Sequence, residues 1–243
     1  MTIKQRIRRR LWDWGYELSG FSREKHVEVQ RRHILRAHRI DLVLDVGANT
    51  GQFAHDMRER IGYAGRIVSF EPLHEAFAVL QRDAAADPLW DAWNYGLGDR
   101  AGFSDINVAG NSVSSSLLEM LPAHASAAPE SVYTGTQRIE IRTLDDVAAS
   151  VIGSERNVYM KLDTQGFEKH VLDGAKATLP RIGMLQIEMS LVPLYAGGSL
   201  LPELDLHLAG LGYRILALEP GYADPRTGQL LQLDAIYRRL DTP

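Results

Sequence analysis

Cysteine is absent from all 243 residues, which excludes disulfides, a thiolate nucleophile and any metal site built on sulfur. Chemistry must come from oxygen and nitrogen groups. No stretch comes near the roughly 20 unbroken apolar residues that a membrane span needs, and the first residues lack the apolar core of a signal peptide. A soluble, cytoplasmic protein is therefore expected. Internal repeats are missing as well. With 45% hydrophobic residues the chain can bury a full core, and its length suits one large α/β domain with decorations.

Acidic residues are scarce at one place, the start. Residues 1–40 carry eleven Lys or Arg against four Asp or Glu, so a formal net charge of -4 leaves the remainder at -11. Within this basic extension Ile3, Ile7, Leu11, Trp14, Leu18 and Phe21 recur at spacings of three and four. A helix would carry them as an apolar stripe beside Arg6, Arg8, Arg9 and Arg10. Two readings stay open: a helix packed on the domain or on a second copy in a homo-oligomer, or peripheral membrane contact through residues 1–21 with anionic lipid or a lipid-linked substrate. Nucleic acid is not expected, because the other 203 residues are acidic and carry no RNA-binding signature.

From residue 41 apolar runs alternate with helical patterns, the signature of an α/β sheet with parallel strands. Strands are expected at 41–46, 66–70, 92–97, 157–162, 184–189, 213–218 and 230–239, and regular structure of unassigned type at 138–143. Helices are expected at 51–60, 73–86, 167–179 and 201–211. The last two strands flank the turn-rich stretch 220–228, so one strand near an edge should be antiparallel. Residues 107–137 are polar and too long for an ordinary connection, which predicts a lid or binding loop. Thr143 followed by Asp146 predicts a helix N-cap.

The most informative segment is Asp45-Val46-Gly47-Ala48-Asn49-Thr50-Gly51, where the first strand hands over to the first helix. Glycine lets the backbone turn sharply and approach a ligand, and the helix start suits an anionic group. A nicotinamide dinucleotide would want G-x-G-x-x-G with an acid about 20 residues later. Here Asn49 stands at the second glycine position and would obstruct the approach to pyrophosphate. The acid exists: Glu71 ends the second strand, placed to accept from two ribose hydroxyls. S-adenosylmethionine (SAM) offers the same ribose and an ammonium that Asp45 can pair with. The plainer alternative is that Asp45 and Glu71 cap nearby helices.

Together, Leu44 through Gly51, Phe70-Glu71-Pro72, Leu97-Gly98-Asp99, Thr143-Leu144-Asp145-Asp146 and Lys161 through Glu168 resemble the ordered motifs of FkbM-type SAM-dependent methyltransferases, over roughly residues 41–219. The resemblance implies a Rossmann-like class I methyltransferase: a mostly parallel seven-stranded sheet with an antiparallel strand near one edge, preceded by an N-terminal helical extension at 1–40. It also implies SAM as cofactor and methylation of a hydroxyl, commonly of a sugar or a polyketide product. Asp45, Gly47, Asn49, Gly51, Glu71 and Asp99 are the expected cofactor contacts, Asp99 toward the adenine amine, while Phe70 and Tyr95 either stack on the ring or fill the core.

Lys161 and Asp163 share one face of a strand by their spacing. They form either an ion pair or a catalytic pair in which Asp163 positions or deprotonates the acceptor hydroxyl. Glu188 is a second carboxylate, and Asp163 with Glu188 is a candidate ligand pair for Mg²⁺. His124, inside the expected lid, is a candidate base or a solvated loop residue. Ser114, Ser115 and Ser116 match a serine cluster of the family and either contact the acceptor or cap a short helix near Leu117. The functional expectation is a SAM-dependent O-methyltransferase acting on a small molecule, glycan or glycolipid. The alternative is a non-catalytic SAM-fold module acting through its basic helix.

Overall fold

The computed structural model describes residues 3–16 and 26–240. Helix α1 (Ile3–Asp13) is followed by α2 (Val27–Ala37), β1 (Leu42–Val46), α3 (Gln52–Asp56) with a π-helical turn at Met57–Ile61, β2 (Arg66–Phe70), α4 (His74–Ala84), β3 (Trp90–Trp93), β4 (Gly96–Leu97) and β5 (Gly102–Ala109). Then come α5 (Pro122–Ala127), β6 (Tyr133–Arg142), α6 (Leu144–Val151), β7 (Val158–Leu162), α7 (Glu168–Asp173), β8 (Ile182–Ser190), α8 (Leu201–Gly210), β9 (Tyr213–Pro220) and β10 (Gln232–Arg239).

Seven strands form one sheet in the order β3-β2-β1-β7-β8-β10-β9, in which β10 alone runs against its neighbours. This is the expected Rossmann-like sheet with its reversed strand next to an edge. Every residue of β1 (LVLDV) and β7 (VYMKL) is buried, because helices cover both faces. Alternation sorts the faces. Leu42, Leu44 and Val46 pack with Leu144, Val171, Leu172, Leu204 and Leu208, while Val43, Ile67 and Tyr159 pack with Leu35, Ala54, Met57 and Leu80.

The N-terminal extension divides at this level. α2 is built into the sheet layer through buried Leu35, an Arg31 side chain paired with Glu219 of β9 and Arg32 donating to the Ile61 carbonyl at 2.7 Å. α1 buries nothing. It also ends earlier than the apolar spacing implies: Gly15 adopts φ +80°, and Tyr16 N-H to Leu11 C=O at 2.8 Å with Gly15 N-H to Trp12 C=O at 2.9 Å form a Schellman cap. Leu18 and Phe21, which would prolong the stripe, lie outside the described residues. Among the described residues no helix is long and apolar enough to cross a membrane.

Two expectations need correction. The stretch 107–137 is not one long loop, because β5 and β6 pair antiparallel from Gly102 to Ala109 and join β4 in a second, three-stranded sheet. Polar side chains on its exposed face (Asp105, Thr136, Arg138) mask the alternation of buried Ile106, Ile139 and Ile141. The expected strand at 92–97 is likewise two strands in two sheets. Between them Asn94 donates to the Glu71 carbonyl at 2.9 Å and turns the chain away. Thr143 caps α6 as expected, accepting from Asp146 N-H at 3.1 Å.

Candidate active site

The carboxyl ends of β1, β2 and β7 meet around one cavity of about 600 Å³, part of it open to solvent. Its wall includes Gly47, Asn49, Glu71, Leu73, Leu97, Ser112, Asp163, Gln165 and Phe167. Gly47, at φ +80°, is required twice over: a Cβ there would lie 1.9 Å from the Asp163 carbonyl oxygen. The N-H groups of Gly47 and Ala48 both donate to the Phe70 carbonyl, so they are engaged within the protein. Asn49 stands in the left-handed region at φ +46°, and Gly51 at φ +92° backs onto Trp90.

Glu71 clamps this loop. One carboxylate oxygen accepts from Asn49 N-H and the other from Leu73 N-H, both at 2.7 Å. Burial pushes its pKa up to about 7, against the pull of those two N-H groups. Each oxygen keeps a free lone pair for a further donor.

Below the loop lies a polar network that joins three strands. Asp45, fully buried, accepts from Ser69 Oγ at 3.3 Å, and its other oxygen Oδ1 has no hydrogen-bond donor. Lys161 Nζ is 3.7 Å from Asp45 Oδ1 and 3.1 Å from Asp163 Oδ2. Burial works against the Lys161 charge, but Asp163 and Asp45 outweigh it and raise the pKa. The ion pair, one of the two readings that spacing left open, is formed, with Asp45 as an additional partner. Asp45 sits beneath the cavity wall and not in it.

Gln165 organises the cavity side of this network. Its amide nitrogen donates to Asp163 Oδ1 and to Glu188 Oε2, both at 2.7 Å, while its oxygen accepts from Tyr195 OH at 2.6 Å. Gln232 donates to the same Glu188 oxygen at 2.8 Å. Burial, followed by Asp163 and Asp234, holds the Glu188 pKa well above its ordinary value. Glu168 closes the turn before α7, accepting from Thr164 N-H at 2.9 Å and Gly166 N-H at 3.1 Å, and burial lifts its pKa to about 7.

The two carboxylates expected for Mg²⁺ are therefore already bridged by an amide NH₂, and Asp163 is also paired with the Lys161 ammonium. Among the described residues no group of three or more His, Asp or Glu side chains converges to hold a metal ion. The donor set does not fit a divalent cation.

Asp99 and His124 fall away from the cavity, whereas Ser115 and Phe70 line it. Asp99 is outside its wall and faces His170, Oδ1 to Nδ1 3.4 Å. His124 is not a solvated loop residue: it is 3% exposed, in α5, with its ring edge-on to Tyr195 at 5.1 Å and its pKa lowered by burial. Its ring contact with Tyr195 links it to the network. No helix starts near Leu117, so the serines cap none. Ser116 donates to the Gln165 carbonyl at 2.7 Å and Ser115 accepts from Ala109 N-H at 3.0 Å, which ties the 110–117 segment over the cavity. Ser112 there meets Asn49 Nδ2 at 3.1 Å. Tyr95 is a core residue away from the cavity wall, whereas Phe70 belongs both to the core and to that wall. Gln165, Ser112 and Tyr195 were not legible as site residues; Gln165 alone had a signal, its place within the Lys161 to Glu168 motif.

The methyltransferase FkbM domain model matches residues 45–215. No curated protein matches the chain in sequence. Among solved structures, the chain is similar to methyltransferase FkbM from Methylobacillus flagellatus KT, at 18% identity and a TM-score of 0.47, covering 81% of this chain and 43% of that one. It therefore spans less than half the length of that relative. It is also similar to an rRNA methylase from Streptococcus thermophilus (10% identity, 89% and 98% covered, TM-score 0.47). A third is M. capricolum TrmK in complex with S-adenosyl-homocysteine (10% identity, 87% and 69% covered, TM-score 0.46).

Proposed function

The chain belongs to the FkbM methyltransferase family, and from that premise we propose that it transfers a methyl group from SAM to a hydroxyl, on a sugar of a glycan, glycolipid or glycosylated natural product. The observation that carries this reading is that Gly47, Glu71 and Asp163 share one cavity wall. A carboxylate suited to a ribose and a carboxylate suited to an acceptor hydroxyl thus face the same space.

The residues fit the cofactor. Glu71 retains acceptor capacity on both oxygens for the ribose hydroxyls, and Leu73, Leu97 and Phe167 give an apolar wall for a base. Asp45 beneath the loop adds negative charge toward an ammonium, its Oδ1 accepting no hydrogen bond and lying 3.7 Å from Lys161 Nζ. SAM, when bound, supplies a methyl on a sulfonium that is already a good leaving group. What remains for the protein is alignment and removal of one proton. Asp163 accepts that proton from the acceptor hydroxyl. Lys161 and Gln165 fix the orientation of its carboxylate, and Gln165 ties it to Glu188. The 110–117 segment limits access of water from above.

The test is transfer of labelled methyl from SAM to panels of glycans and glycolipids, with mass spectrometry locating the methyl on the product. A methyl ether on a sugar is the expected product. SAM binding without transfer to any acceptor would favour a non-catalytic module, and label on nitrogen would overturn the hydroxyl assignment.

A further inference from the structure

We propose that α1 with the turn after it is a surface-seeking element that docks the protein on an anionic lipid bilayer, independently of the reaction assigned above. Residues 3–16 expose five large apolar side chains: Ile3 is 78% exposed, Ile7 51%, Trp12 74%, Trp14 74% and Tyr16 67%. A soluble protein seldom leaves such residues together on one short element without a partner.

The arrangement identifies the partner. At about 100° per residue, Ile3, Ile7 and Leu11 fall within one narrow arc of the helix. Arg6 and Arg10 border that arc on one side, Lys4 and Arg8 on the other, and no acid occurs before Asp13. An apolar stripe with a cationic margin on both sides matches the boundary between lipid tails and anionic headgroups. Arginine stems lie along the tails while their guanidinium groups reach phosphate. Trp12, Trp14 and Tyr16 cluster at the C-terminal end, and aromatic rings of this kind settle at headgroup depth. Eleven residues span about 16 Å, half the hydrocarbon thickness, so the helix lies on the surface and does not cross it. The remainder of the chain beyond residue 40 carries -11, which leaves α1 as the cationic end that faces the bilayer. A nucleic acid would use the charge but gives no role to exposed Ile3 and Ile7.

The experiment is co-sedimentation of the full chain with phosphatidylcholine vesicles, with and without about a third phosphatidylserine. Binding should be at least about tenfold stronger to the anionic vesicles and should weaken with salt. Ile7→Asp and the pair Arg8→Glu/Arg9→Glu should each lower it at least about tenfold, whereas Ile7→Leu should retain it. α1 buries nothing, so these variants should keep the wild-type circular dichroism and SAM affinity, which separates failure here from failure of the methyltransferase reading. Equal binding to neutral and anionic vesicles, no binding at all, or a dimer in light scattering that Ile7→Asp dissociates without any vesicle binding would each overturn the proposal, the last in favour of a second copy.

Discussion

Replacing Lys161 with methionine keeps a side chain of similar length but removes the ammonium 3.7 Å from Asp45 and 3.1 Å from Asp163. Asp163 remains partly hydrated, its side chain being 31% exposed. Asp45 does not: it is fully buried, and Ser69 Oγ is its remaining hydrogen-bond donor. Removing one partner from a buried ion pair costs about 3 to 5 kcal/mol, because the other charge is left uncompensated. Burial already raises the Asp45 pKa while Lys161 opposes the rise, so the variant raises it further. A group whose folded pKa lies above its unfolded value contributes stability that is present below the unfolded pKa and lost as pH rises through the folded one. The deficit of Lys161→Met must therefore grow with pH. Urea unfolding of wild type and variant should give a loss of about 3 to 5 kcal/mol near pH 8, smaller by at least about 1 kcal/mol near pH 5. An equal deficit at both pH values would mean lost packing alone and would refute the assignment of Lys161 as the counter-charge of a buried carboxylate.

Gly47→Ala should destabilise by about 3 kcal/mol or more, combining a left-handed backbone with displacement of the Asp163 carbonyl; Gly62→Ala, at φ +71° with open space around it, should lose only about 1 to 2 kcal/mol in the same thermal unfolding experiment. Because the Glu71 pKa is raised to about 7, its carboxylate becomes a full acceptor only as pH passes that value, so SAM should bind more tightly near pH 8 than near pH 6 by calorimetry. Glu71→Gln should flatten that dependence and weaken binding by about tenfold or more. In the protein without ligand the same raised pKa means stability lost as pH rises through about 7, a slope that Glu71→Gln should reduce. Asp163→Asn should leave SAM affinity within a few-fold while lowering turnover by about 10²-fold or more; near-normal turnover in rapid-quench assays would remove Asp163 as the base.

What the sequence determined by itself is whatever local pattern encodes. Buried runs such as LVLDV and VYMKL read as two-sided strands, Thr143 with Asp146 read as a cap, and the glycines of 45–51 marked a turn that tolerates no side chain. These signals live within a few residues of one another, so they survive without coordinates. The reversed strand near the edge was legible for the same reason, since two successive strands joined by a turn-rich stretch without a crossover helix leave little choice of direction. Tertiary structure decided everything that depends on which distant elements meet. It brought Gln165 to Glu188, 23 residues away in sequence, and so turned the apparent metal pair of Asp163 and Glu188 into an amide-bridged one. It put Lys161 against Asp45 across neighbouring strands, carried Asp99 away from the cavity to His170, and buried His124 against Tyr195. The polar β5–β6 ladder was hidden because half of its residues face water, where alternation carries no apolar signal. The division of the basic extension was also beyond local pattern: α2 and α1 share composition, but only α2 has a sheet face and Glu219 to pack against.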